Sequence, residues 1–144
     1  MKRILAIDYG CKRVGLAVTD PLQIIATPLD TVHASEVLAY LSNYIAKEPV
    51  ELFVVGMPKN LDNKPAEAAQ YVEPFIKQLH KKIPDIPIEL MDERFTSKIA
   101  FQAMIDGGVK MMDRRNKETV DKISAVIILQ SYLESREIKN NRNI

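Results

Sequence analysis

Three places in the chain hold acids whose position could do chemistry. Asp8 closes the short apolar run Ile4-Leu5-Ala6-Ile7. Strand alternation sets Ile4, Ala6 and Asp8 on one face, and a carboxylate turned toward a packed layer needs a cation or hydrogen-bond donors beside it. Asp92-Glu93 follows the run Ile88-Glu89-Leu90-Met91. Alternation sends these two acids to opposite faces, so at most one of them shares the face of Asp8. Asp121 opens the last helical pattern, and Ser124, Ala125 and Ile128 continue its face at steps of three and four. A first-turn acid gains about 0.3–1 kcal/mol from the helix dipole. That accounts for an acid at this point, but not for one on the inner face. Carboxylates gathered without a cation would raise one another's pKa. Mg²⁺ or Mn²⁺ removes that conflict, because such ions take oxygen ligands and keep waters and phosphate oxygens. A pair of ions about 3.5–4 Å apart activates water and steadies the leaving oxygen in phosphodiester hydrolysis.

Cations stand beside each acid. Lys12 and Arg13 follow Asp8, Arg94 follows Glu93, and Lys110, Arg114, Arg115, Lys117 and Lys122 surround the approach to Asp121. A phosphate backbone needs such neighbours. A solvated charged loop is the competing account of 109–117. The 20 Lys and Arg residues nearly balance the 19 acids, for a net charge of +1, so a bulk electrostatic coat on nucleic acid is excluded and any patch must be local. No aromatic cluster for base stacking is evident, which points to recognition by shape and backbone. Other chemistries lack their parts. Gly10 and Gly15 have P-loop spacing, but Leu16-Ala17 follows where Lys and Ser/Thr belong. No G-x-S-x-G motif occurs, and Cys11, the single cysteine, has no His or acid in sequence marking a partner. One Cys and two His argue against structural zinc.

The elements that must position these residues follow from periodicity. The 144 residues, 47% hydrophobic and 27% charged, have ordinary globular composition. A domain of that length buries roughly 68–70% of its unfolded surface. Ile4–Ile7 and Val14–Thr19 read as strands joined by a Gly-containing hairpin, and Ile24–Val32 as a third strand whose Pro28 requires an edge. An amphipathic helix is expected over 34–47 and a fully covered strand at Leu52–Val55. A second helix spans 65–82, in which Pro74 should kink or divide the pattern. Ile88–Met91 is the fifth strand. Thr96 caps a helix to Asp106, 109–117 is a basic loop, and the last helix runs over 118–136. This order predicts an α/β fold with a five-stranded mixed sheet, three strands antiparallel and then two parallel, and helices on both faces. Residues 1–137 are read as a single domain and 138–144 as a flexible tail. The N-terminal apolar run is shorter than the roughly 7–15 residues of a signal peptide, and no stretch approaches the ~20 apolar residues of a membrane span. A lone cysteine suits a reducing cytoplasm.

The segments AIDYGCKRVGLAVTD (6–20), VVGMPKNLDN (54–63), MDERFTS (91–97) and VDKISAVIILQSYLE (120–134) together resemble the YqgF/RuvX family over nearly the whole chain. The resemblance implies a ribonuclease H-like fold and a cytoplasmic nuclease of structured nucleic acid. That family was first described through Holliday-junction resolution and later through maturation of the 5′ end of pre-16S ribosomal RNA. By position it implies Asp8, Glu93 and Asp121 as catalytic and metal-holding acids, and only the resemblance prefers Glu93 to Asp92. It places the basic loop before Asp121 where the family has one, and the cations beside the acids, Lys12, Arg13, Arg94, Lys110, Arg114, Arg115 and Lys117, are the expected substrate contacts. Precursor ribosomal RNA is the expected partner, a ribosomal subunit a further candidate, and a monomer or weak homodimer the expected state. Cys11, Met57, Lys59 and Pro74 depart mildly from the family pattern, and none removes a presumed acid. Two other functions remain open: junction resolution in DNA, and a non-catalytic binding module. A sugar-kinase-like phosphotransferase needs two such domains, and this length supplies one.

Overall fold

The computed structural model describes residues 2–10, 12–57, 69–92 and 117–142, with backbone alone at 69–70, 92, 117–121 and 137–142. Strands β1 (Arg3–Tyr9), β2 (Arg13–Thr19) and β3 (Ala26–His33) are followed by α1 (Val37–Lys47), β4 (Val50–Met57), α2 (Ala69–Lys82), β5 (Ile88–Asp92) and α3 (Lys117–Arg142). One five-stranded sheet has the order β3-β2-β1-β4-β5. β1 pairs antiparallel with β2, β2 with β3, and the β1–β4 and β4–β5 pairs are parallel. The expected mixed sheet is therefore present, with Pro28 on the edge strand as its missing N–H requires.

Alternation divides the core into two layers. Leu5, Ile7, Val14, Leu16, Phe53 and Val55 face α1 and α2, where Val37, Leu41, Val72, Phe75 and Leu79 complete the layer. Ile4, Ala6, Ala17 and Val54 face α3, through Ala125, Ile128, Leu129 and Leu133. The strands in the middle of the sheet are thus apolar on both faces, which is why they read as continuous apolar runs.

Several details differ from the sequence expectation, and most have a local cause. The third strand begins at Ala26 because Asp20 draws residues 22–25 into a tight loop. Its Oδ1 accepts from the N–H of Ile24 at 2.8 Å and of Ile25 at 2.7 Å, and its Oδ2 from Leu22 at 3.0 Å. Gln23 there adopts a left-handed φ of 59°. The first helix begins at Val37, since Ser35 bonds His33 and is not an N-cap, while Glu36 in the cap position makes no side-chain cap bond. Pro74 lies inside α2, which continues as one helix across it. Pro74 is exposed, so water can take the Gln70 carbonyl that it leaves without a donor. The last helix continues to Arg142, six residues past its expected end at Arg136, so most of the segment expected to be a flexible tail is helical backbone. The predicted helix over 96–106 and most of the basic loop 109–117 lie outside the described residues. No described helix is long and apolar enough to cross a membrane.

The Asp20 loop makes a prediction about acid. The Ile25 N–H, ahead of those of Ile24 and Leu22, holds the Asp20 carboxyl below its ordinary value of 3.8. A lowered native pKa contributes stability above the unfolded value, and that contribution is lost as pH falls through the native one. Asp20→Asn should therefore flatten the loss of stability below about pH 4, measured by urea unfolding across that range.

Candidate active site

Asp8 is the last residue but one of β1, so it stands where that strand leaves the sheet. Ile4 and Ala6, four and two residues earlier, are buried against α3. Asp8 continues their face and is half-buried. Its partner across β2 is Gly15. On the other side Ile7 pairs with Val55 of β4, so the next position along is Gly56. Glycines thus flank Asp8 on both neighbouring strands, and neither puts a side chain beside its carboxylate. Strand-interior glycine of this kind marks close approach of a ligand or another backbone.

The turn after Asp8 is tight. The Gly10 N–H donates to the Arg13 carbonyl at 3.0 Å. A Cβ on Gly10 would stand 2.6 Å from that oxygen, a backbone atom that cannot swing aside. Gly10→Ala is expected to cost about 1–3 kcal/mol, read as a lower melting temperature. The same turn carries Lys12, exposed, and Arg13, half-exposed, at the end of the sheet where Asp8 lies.

The direction of α3 decides which of its ends meets Asp8. Near its C-terminal end, Arg136 Nη1 donates to Gln23 Oε1 at 2.6 Å, and Gln23 Nε2 donates to the Lys2 carbonyl at 2.9 Å. Gln23 also bonds Glu51, and Tyr132 bonds Glu89 at the start of β5. The late turns of α3 thus sit over the starts of β1, β4 and β5, so α3 runs antiparallel to those strands. Stepping back from 136 to 121 retraces about 22 Å of helix, and Lys2 to Asp8 covers about 20 Å of strand. Helix position 121, one turn ahead of the buried Ala125, is therefore near the height of Asp8.

The parity of β5 bears on its two acids. Met91 pairs with Gly56 and packs in the α3-side layer. Position 92 pairs with Met57, which packs in the opposite layer. Position 92, the last of β5, therefore lies on the face away from Asp8. Glu93 itself, with Arg94, Lys110, Arg114 and Arg115, lies outside the described residues. Lys117 opens α3 and, like Asp121, is described as backbone only. Among the described residues no group of three His, Cys, Asp or Glu side chains is gathered to hold a metal ion. What is described fits one nonetheless: Asp8 offers a hard oxygen donor, with glycine on both adjoining strands. The register places His33 directly opposite Arg13. No sequence signal marks that pairing.

A family model described as RuvX, Holliday junction resolvase, matches residues 2–135. A protein of Phocaeicola vulgatus named "Putative pre-16S rRNA nuclease" is 59% identical over 137 residues, covering 95% of this chain and 99% of its own. A Parabacteroides distasonis protein of the same name is 56% identical, covering 95% of this chain and 98% of its own. Among solved structures, Thermus thermophilus RuvC in complex with a Holliday junction substrate superposes with a TM-score of 0.57 at 16% identity, over 95% of this chain and 96% of that one. That likeness shows a shared fold, the ribonuclease H-like architecture expected from the motifs.

Proposed function

The chain belongs to the RuvX family, and from that premise we propose that it is a metal-dependent nuclease hydrolysing phosphodiester bonds in structured RNA. The substrate we propose is pre-16S ribosomal RNA near its 5′ end, the class in the names of its relatives. The observation that carries the reading is Asp8: a half-buried carboxylate at the end of β1, between two strand glycines, at the height where α3 begins its inward face. In this reading Asp8, Glu93 and Asp121 hold Mg²⁺ or Mn²⁺. A divalent ion held there would supply the charge that activates water and steadies the leaving oxygen. Asp8 orients that charge against the sheet end. Lys12 and Arg13 in the turn, with Arg94, Lys110, Arg114, Arg115 and Lys117, seat the phosphates on either side of the scissile bond. The parity of β5 sets position 92 on the face away from Asp8, which speaks against Asp92 as the second acid. The setting is the cytoplasm, with the precursor RNA met free or on a ribosomal subunit, and residues 1–137 acting as one domain.

The test is cleavage of a transcript spanning the 5′ end of pre-16S RNA with and without Mg²⁺, by wild type and Asp8→Asn. Equal cleavage by a folded Asp8→Asn protein would refute the site. The family description and the junction-binding structural relative favour one second reading, resolution of DNA junctions. That reaction needs two active sites and so a dimer. Sedimentation that finds a single protomer with and without junction DNA excludes it.

A further inference from the structure

The proposed nuclease site reaches farther across the sheet than the acids and their neighbouring cations suggest. We propose that His33 is a binding residue for the RNA backbone, donating from Nε2 to a phosphate beyond the scissile one. The inference rests on the nuclease reading above and extends its substrate path toward the β3 edge.

The register supplies the geometry. Asp8, Gly15 and Thr31 form one row across β1, β2 and β3, and Arg13 and His33 form a row two residues nearer the turn. Strand parity puts both rows on the face of Asp8, since Ala17, two residues after Gly15, is buried against α3. His33 is thus two strands across and two residues along from Asp8, about 12 Å away. That distance suits a flanking phosphate of the same strand and not the reacting one. The Lys12 carbonyl accepts the Ala34 N–H at 2.9 Å, which ties the β1–β2 turn to the end of β3 and fixes where His33 stands.

The ring of His33 is set for donation. The Ser35 N–H donates to Nδ1 at 3.1 Å, and Ser35 Oγ lies 2.8 Å from the same nitrogen. A ring nitrogen that accepts carries no proton, so the neutral imidazole keeps its proton on Nε2. The residue is exposed, and its carbonyl accepts the Glu36 N–H at 2.9 Å, which anchors its backbone at the entry to α1. A donor held in one tautomer opposite Arg13 recognises a phosphate oxygen without reading a base.

Steady-state cleavage of the 5′ pre-16S transcript tests the assignment, with melting temperature measured for each variant. His33→Ala should raise KM about three- to tenfold with kcat unchanged, the signature of a contact made equally in ground and transition states. His33→Gln, which keeps a donor, should recover most of that loss, an outcome that a structural role for the ring would not produce. Should His33→Ala fail to fold, His33→Phe keeps a ring and removes both nitrogens, and the same rise in KM is expected. At slightly alkaline pH the His33 variants should leave the salt dependence of RNA affinity unchanged, whereas Arg13→Gln lowers its slope by about one ion. A KM within twofold of wild type in a folded His33→Ala or His33→Phe protein overturns the proposal while leaving the nuclease reading intact. A wild-type protein that neither binds nor cleaves the RNA brings down both.

Discussion

Asp8→Asn is expected to lower Mg²⁺-dependent RNA cleavage by about two orders of magnitude or more, with a melting temperature close to that of wild type. The substitution keeps the shape of the side chain and removes its charge. Asp8 is half-buried at the end of β1 and not within the sheet centre, so little packing is lost. The adjoining positions of β2 and β4 are Gly15 and Gly56, so neither neighbouring strand offers a second carboxylate there. Calorimetric titration should show weaker binding of Mg²⁺ in the same variant. Cleavage retained at a tenth or more of wild type, with metal affinity unchanged, would move the reaction away from this end of the sheet.

Phe53→Ala is expected to do the reverse. Phe53 is completely buried, pairs with Leu5 of β1 and Ile88 of β5, and packs against the α1 and α2 side of the sheet. Its N–H donates to the Pro87 carbonyl at 3.0 Å, so the backbone there cannot readily collapse into the space left behind. Truncation should cost about 3–5 kcal/mol, seen as a fall of roughly 10 °C in melting temperature. Because Phe53 lies on the face away from Asp8, cleavage per folded molecule at low temperature should stay within a few-fold of wild type. If activity fell in proportion to the Asp8→Asn loss while the fold persisted, the two layers would be coupled in a way that their separate packing does not explain.

The contrast between these two residues shows how much was legible before folding. Phe53 sits in Leu52-Phe53-Val54-Val55, and a run that is apolar at every position implies cover on both faces. Asp8 ends a similar run, and an acid at that point stands out against four apolar predecessors. Pro28 identified an edge strand through its missing donor, and β3 is that edge. The start of β3 was less legible, since Ile24 and Ile25 look like strand residues but give their N–H groups to Asp20. A side chain competing for backbone donors over a few residues leaves no trace in hydropathy.

Local periodicity, the order of strands and helices along the chain, the hairpin turn and the candidate acids were legible in the amino-acid sequence alone, because each depends on neighbours a few residues apart. Three matters were decided only by tertiary structure. One was the direction of α3, fixed where Arg136 meets Gln23 and Gln23 meets the Lys2 carbonyl. Another was which position of β5 shares the face of Asp8, fixed by the pairing of Met91 with Gly56. The last was the meeting of Arg13 with His33 across β2 and β3. Alternation says that successive residues face opposite ways, but not which way is which. That choice is made when a strand buries one side against a particular layer, and the partners in that burial are far apart in the chain.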